Sequence, residues 1–159
     1  MNRRLELGLV PVVVAGATLA AAPALAGPVE SLMARSRAAE AAGRFADATI
    51  LMQAAVVADP ARAASYVALA DLYARHSEPN FAQKYYEEAL YIDPTMAAAL
   101  LGAGRADLAL GDLEAAKQKL TRLEESCGHE CPEAVSLRAA IEAGKNAKPD
   151  ATSASLDKH

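Results

Sequence analysis

The sequence predicts an all-α protein, and three observations lead to this prediction. Alanine, the residue with the highest helix propensity, accounts for 40 of the 159 residues. Aromatic residues are few (5 Tyr, 2 Phe and no Trp), and Val and Ile are scarce after residue 15, which disfavours a β-sandwich, a β-barrel or a doubly wound α/β domain. In addition, a short motif recurs at an interval of 34 residues, which is typical of helical repeat arrays.

Length and charge narrow the class of protein further. A chain of 159 residues has room for one domain. The formal net charge of −4 excludes a strongly basic surface and therefore disfavours a nucleic-acid binder. Together with the alanine content, the length and charge predict a small, acidic, helical protein.

Residues 1–26 have the three-part pattern of a secretory signal peptide. Asn2-Arg3-Arg4 is basic, residues 7–26 form an uncharged run, and Ala24-Leu25-Ala26 places small residues at the −3 and −1 positions before Gly27. We therefore predict export to the periplasm, with cleavage before Gly27. The alternative is an uncleaved membrane anchor, because the 20-residue run is just long enough to span a bilayer, but its two prolines and many alanines make it a poor span.

The 34-residue interval separates Asp59-Pro60 from Asp93-Pro94. The segment before the second pair alternates bulky and small residues in a fixed pattern. The eight positions of that pattern are Tyr66, Leu69, Ala70, Tyr73, Ala82, Tyr86, Ala89 and Pro94. This pattern resembles the tetratricopeptide repeat (TPR), in which two helices pack closely through small residues and a proline follows the second helix.

The resemblance implies a right-handed superhelical solenoid of three TPR helix-turn-helix repeats, at about 29–62, 63–96 and 97–130, within a domain of residues 27–144. Gly43 and Gly111 are expected at helix–helix turns. Arg35, Asp107 and Gly128 depart from the repeat pattern. Residues 132–144 are predicted to form a C-terminal capping helix, and the polar residues 145–159 a disordered tail.

In TPR arrays the first helix of each repeat lines a concave, peptide-binding face. The resemblance places Arg37, Asp71 and Arg105 on that face at 34-residue intervals, and Arg75 follows Asp71 at the spacing of an intrahelical pair. Because guanidinium groups suit carboxylates, we expect this groove to bind a protein or peptide partner with acidic groups. The alternative is that these residues are solvated surface charges of little energetic effect.

Six of the seven aromatic residues fall in the central repeat. Tyr66, Tyr73 and Tyr86 occupy pattern positions and are expected in the core. Tyr85 and Tyr91 do not, so we expect them at the surface, where a partner could contact them.

Two cysteines lie in the segment Cys127-Gly128-His129-Glu130-Cys131. In an exported chain, an even number of cysteines in a turn indicates a disulfide, here one that fixes the direction of the capping helix. Two alternatives remain, namely metal capture by Cys127, His129 and Cys131, and redox chemistry.

The sequence predicts a non-enzymatic adaptor or scaffold in the bacterial envelope. Nucleotide-binding loops, zinc-protease motifs and nucleophile elbows do not occur in it, and no cofactor is expected. Nor do we expect nucleic-acid binding, or membrane attachment after signal cleavage. Two other functions stay open: a small periplasmic metal or redox carrier that uses Cys127, His129 and Cys131, and a structural homo-oligomer in which the ends of the solenoid stack.

Overall fold

The computed structural model describes residues 27–147, and these residues form seven α-helices and no strand. Residues 1–26, which carry the predicted signal peptide, and residues 148–159 of the predicted tail lie outside the described part. The helices are α1 Pro28–Ala41, α2 Phe45–Ala58, α3 Ala63–Arg75, α4 Pro79–Ile92, α5 Ala97–Leu110, α6 Leu113–Cys127 and α7 Pro132–Ala147.

The helices pack as consecutive hairpins. α1 packs on α2, α3 on α4 and α5 on α6, while α4 also packs broadly on α5 and α7 packs on both α5 and α6. Short turns between the paired helices make each pair antiparallel. The predicted all-α repeat fold is therefore confirmed.

The turns inside the hairpins share one backbone conformation. Gly43 and Gly111 have φ values of 73° and 84°, a left-handed conformation that glycine adopts without a steric penalty. The equivalent position between them along the chain is Ser77, which has φ 60° despite its side chain. The two glycines expected at turns are thus observed there, and the central hairpin makes the same turn without a glycine.

The Asp-Pro pairs end the second helix of a hairpin. Asp59 and Asp93 follow α2 and α4 directly, and the carboxylate of each accepts a hydrogen bond from the backbone N–H two residues later, at 3.3 and 3.1 Å. This Asx-type turn, together with a proline that cannot continue the helix, explains why the pair recurs at the repeat interval.

Small residues allow the paired helices to approach closely. Ala48, Ala82 and Ala116 occupy equivalent positions in the three hairpins and are fully buried. In the first hairpin Ser36 is also buried, and its hydroxyl donates to the Ala48 carbonyl at 2.7 Å. Larger side chains such as Leu69 then fill the space between neighbouring hairpins.

α7 is longer than predicted. It continues to Ala147, so residues 145–147, which we predicted as part of the tail, are helical. The polar composition of these residues misled the prediction, because Lys, Asn and Ala are all compatible with a helix end and the next proline in the sequence is Pro149. Among the described helices, none is long and apolar enough to cross a membrane.

Candidate functional site

A groove of about 740 Å³ runs between α3, α4 and α5 and reaches the start of α7. Much of its lining is small or apolar. These lining residues are Val67, Ala74, Ala82, Ala98, Leu101, Gly102, Ala106 and Ala109. The polar lining comes from Asp71, Arg75, Ser77, Tyr86, Arg105 and, on α7, Glu133. The groove therefore offers close approach to the backbone along its floor and a few charged groups along its rim.

Tyr86 lines the groove and is hydrogen-bonded to one of its acidic residues, Asp71. Its side chain is buried, and its hydroxyl donates to Asp71 Oδ1 at 2.5 Å. Burial and this hydrogen bond raise the pKa of Tyr86, so the phenol stays protonated as the donor. A Cβ at Gly102 would overlap the Tyr86 ring, so a glycine is needed there for the ring to lie against α5.

Arg75 forms its hydrogen bonds with Glu40 and not with Asp71, although the spacing of Arg75 and Asp71 allows an intrahelical pair. Its Nε and Nη2 donate to the two carboxylate oxygens of Glu40 on α1, at 2.8 and 2.9 Å. The Arg75 hydrogen bond lowers the pKa of Glu40. Asp71 instead accepts a hydrogen bond from Tyr86, and the bidentate geometry of Glu40 suits the guanidinium.

Arg105 lies at the other end of the rim. It is exposed, and its Nη2 donates to the Ser136 hydroxyl on α7 at 2.7 Å. The hydroxyl is neutral, and within the part of the chain that the structure describes Arg105 forms no salt bridge that would compensate its charge. Arg105 is therefore the lining cation best placed to meet a ligand carboxylate.

Arg37 is exposed on α1 and does not line this groove. The repeat interval predicted it beside Asp71 and Arg105, but the first hairpin packs less broadly on the second than the second does on the third. Two ion pairs, Glu30 with Arg62 and Glu40 with Arg75, also lie at this junction. The structure thus brings three of the four predicted groove residues together and leaves Arg37 apart.

Four aromatic side chains form a cluster at the junction between the first two hairpins. Tyr73 packs against Phe45, Phe81 and Tyr85, with ring centroids 5.9, 5.0 and 5.6 Å away. Tyr85 is consequently half-buried, contrary to the surface position expected for it. Tyr91 is 87% exposed, in agreement with its expected position.

Cys127 and Cys131 are joined by a disulfide between the end of α6 and the start of α7, with their Cα atoms 5.8 Å apart. Between them in the sequence, His129 has its Nδ1 3.2 Å from Glu124 Oε1. Arg138 also donates to that carboxylate at 2.6 Å, and the two partners lower the pKa of Glu124. The third group near the cysteines is Glu133, whose carboxylate lies within 4.8 Å of the sulfur atoms.

Sequence reasoning missed two features. On α7, Glu133 lines the groove and Ser136 accepts a hydrogen bond from Arg105, and the repeat interval could not place them because α7 has no counterpart in the other repeats. Asp107 is 1% exposed in the core, where it accepts a hydrogen bond from Gln83 Nε2 at 2.5 Å. Its place at a position that usually holds an aromatic residue was the available signal of burial.

Comparisons with known proteins agree with this architecture. Residues 77–141 match the family model described as "Tetratricopeptide repeat". No curated protein matches the sequence at a significant level.

Solved structures of tetratricopeptide repeat domains and of a secretion chaperone resemble this fold. The Sgt2 TPR domain of Aspergillus fumigatus is 22% identical, with a TM-score of 0.66 over 77% of this chain and 80% of that one. The second TPR domain of human RPAP3, solved with an HSP70 peptide, is 23% identical, with a TM-score of 0.63 over 70% and 92%. The Yersinia enterocolitica type III secretion chaperone SycD, solved with a peptide of the translocator YopD, is 20% identical, with a TM-score of 0.62 over 75% and 90%.

At these identities the solved structures establish the fold alone. The matched segment contains α4, α5 and α6 and nearly all of the buried face of α7. The matched segment and the structural neighbours agree on a helical repeat fold of the tetratricopeptide kind.

Proposed function

We propose that this protein is a non-enzymatic adaptor that binds a segment of a partner protein in the groove between α3, α4, α5 and α7. The groove itself is the observation that carries the proposal, because its floor of small residues lets a peptide or helix approach α3 and α5 closely. Structural neighbours solved with peptides, human RPAP3 and Yersinia SycD, support it.

The charges of the rim define the chemistry of the partner. Glu40 already compensates Arg75, whereas Arg105 meets the neutral hydroxyl of Ser136. An acidic side chain or terminal carboxylate of the partner would complete the hydrogen bonding of Arg105. The floor beside it, at Ala98, Leu101 and Gly102, accepts small apolar side chains. We therefore propose a partner segment that combines an acidic group with small apolar residues.

Replacing Arg105 by glutamate is expected to weaken binding of the partner by tenfold or more, because it places a like charge against the partner's acidic group. Arg37→Glu is the matched control, since Arg37 is an exposed arginine at the equivalent position of the first hairpin but lies outside the groove. The partner would first be captured from an envelope extract with the wild-type protein. Its affinity for the two variants would then be measured by titration calorimetry.

Two results would contradict the groove proposal. One is equal affinity of the wild type and Arg105→Glu for the captured partner. The other is an equal loss in Arg105→Glu and Arg37→Glu, which would indicate a general effect of net charge. Helical content measured by circular dichroism would verify that both variants are folded.

We further propose that the adaptor works in the bacterial envelope after export. Support comes from the basic start, apolar run and Ala24-Leu25-Ala26 end of residues 1–26, and from the cysteine pair, which suits an oxidising compartment. When the full chain is expressed in a Gram-negative host, we expect the periplasmic fraction to contain a protein whose N-terminal sequence begins at Gly27. A full-length chain retained in the membrane fraction would instead support the uncleaved anchor.

A further inference from the structure

The turn between α6 and α7 brings together three groups that bind metals. Cys127 is exposed at the end of α6, Cys131 is half-buried just before α7, and Glu133 is half-buried in the first turn of α7. One ligand atom from each lies within 4.8 Å of the others. Within residues 27–147, no hydrogen bond or ion pair to another residue engages the carboxylate of Glu133.

The donor set of the reduced turn favours zinc over a softer metal. Two thiolates and a carboxylate would place three negative charges close together, and a divalent cation removes their mutual repulsion. Zinc accepts both sulfur and carboxylate ligands, whereas Cu(I) selects soft ligands such as thiolates. Two Zn–S bonds of about 2.3 Å at a tetrahedral angle need sulfur atoms about 3.8 Å apart, and cysteines with a Cα separation of 5.8 Å can supply this spacing once the disulfide is open.

We propose that the reduced protein binds one zinc ion through Cys127, Cys131 and Glu133, with the fourth position open. His129, the third ligand of the motif in the sequence, is left out of this set because the group of ligand atoms within 4.8 Å of one another comprises Cys127, Cys131 and Glu133 and does not include a ring nitrogen of His129. Glu133 takes its place. Glu133 also lines the groove, so the site adjoins its rim, whereas Cys127 and Cys131 lie outside the groove.

The proposed zinc site is complete only when Cys127 and Cys131 are reduced. A dithiol reductant transfers two electrons and two protons to the Cys127–Cys131 bond, which becomes two thiols while the reductant becomes a disulfide. Zinc then binds the two thiolates and displaces both protons to solvent. Oxidation of the pair therefore removes two of the three ligands, and metal occupancy reports the redox state of the turn.

The test compares the oxidised protein with protein reduced by a water-soluble phosphine. The phosphine takes oxygen from water to become a phosphine oxide and leaves two thiols without adding a competing thiol ligand. We expect one Zn²⁺ per reduced chain and none per oxidised chain, measured by competition with a chromophoric chelator. With Co²⁺ as the probe, the reduced protein should show a thiolate-to-cobalt charge-transfer band that Cys127→Ser weakens.

Variants of the neighbouring side chains identify the third ligand. Glu133→Gln should weaken Zn²⁺ binding at least tenfold, whereas His129→Ala should leave it unchanged. Glu130→Gln, in the same turn and exposed, is the matched control for loss of a nearby negative charge. Absence of Zn²⁺ binding by the reduced wild type would overturn the site. Weaker binding in His129→Ala together with unchanged binding in Glu133→Gln would overturn the assignment of Glu133.

Discussion

Replacing Leu137 by alanine is expected to lower the free energy of unfolding by about 2–5 kcal/mol. Leu137 is fully buried on α7, and both of its terminal carbons lie against Gly104 of α5. Alanine would leave a cavity at the contact that fixes α7 to the third hairpin. Urea denaturation followed by circular dichroism measures the loss.

A second substitution shows whether that contact is the cause. A Cβ at Gly104 would lie 2.6 and 2.9 Å from the two terminal carbons of Leu137, so Gly104→Ala overpacks the wild-type core. In the Leu137→Ala background the same methyl group enters the cavity, and we expect it to recover about 1 kcal/mol or more. The sign of the Gly104→Ala effect should therefore depend on the background.

Gly144→Ala controls for the higher helix propensity of alanine. Gly144 is exposed near the end of α7, and a Cβ there would lie 3.9 Å from Leu108, which is ordinary contact. Its effect should be the same in both backgrounds. Strict additivity of Gly104→Ala and Leu137→Ala would show that the two residues are not packed against each other as described.

The repeat interval was sufficient to predict the fold class and its turns. A spacing of 34 residues sets which positions are equivalent, and equivalent positions in a solenoid share backbone conformation and burial. For this reason the turn glycines Gly43 and Gly111 and the buried alanines could be assigned without coordinates. The alternation of small and bulky residues can be read directly from the sequence, so burial at these positions could be predicted from it.

The contacts of the groove residues were predicted less completely, because these side chains bond to residues outside their own repeat. Arg75 meets Glu40 across a hairpin junction, and Arg105 meets Ser136 on a helix with no equivalent elsewhere in the chain. Arg37, equivalent in sequence to Asp71 and Arg105, lies apart because the first junction packs less broadly. Sequence spacing gives the face on which a residue lies, but it does not give the neighbour that it contacts.

Asp107 illustrates the same limit in the core, and its replacement is the second large effect that we expect. The residue is 1% exposed, and its Oδ2 has no hydrogen-bond partner among residues 27–147. Asp107→Asn retains an oxygen that can accept the hydrogen bond from Gln83 and removes a buried charge. We expect the variant to be more stable than the wild type by about 1–3 kcal/mol at neutral pH, measured by urea denaturation.

If the buried charge of Asp107 is the reason why Asp107→Asn is more stable, the gain in stability must depend on pH. Burial raises the pKa of Asp107, an effect that Gln83 and Lys119 oppose only in part. Because the folded protein binds the proton more tightly than the unfolded chain, the wild type gains stability as the pH falls through the folded-state pKa of Asp107. The advantage of Asp107→Asn should therefore shrink toward acid pH. Glu125→Gln, at an exposed position, is the control for the removal of one negative charge. An advantage that stays constant from neutral to acid pH would mean that Asp107 is not the buried, charged group that the structure places between α4, α5 and α6.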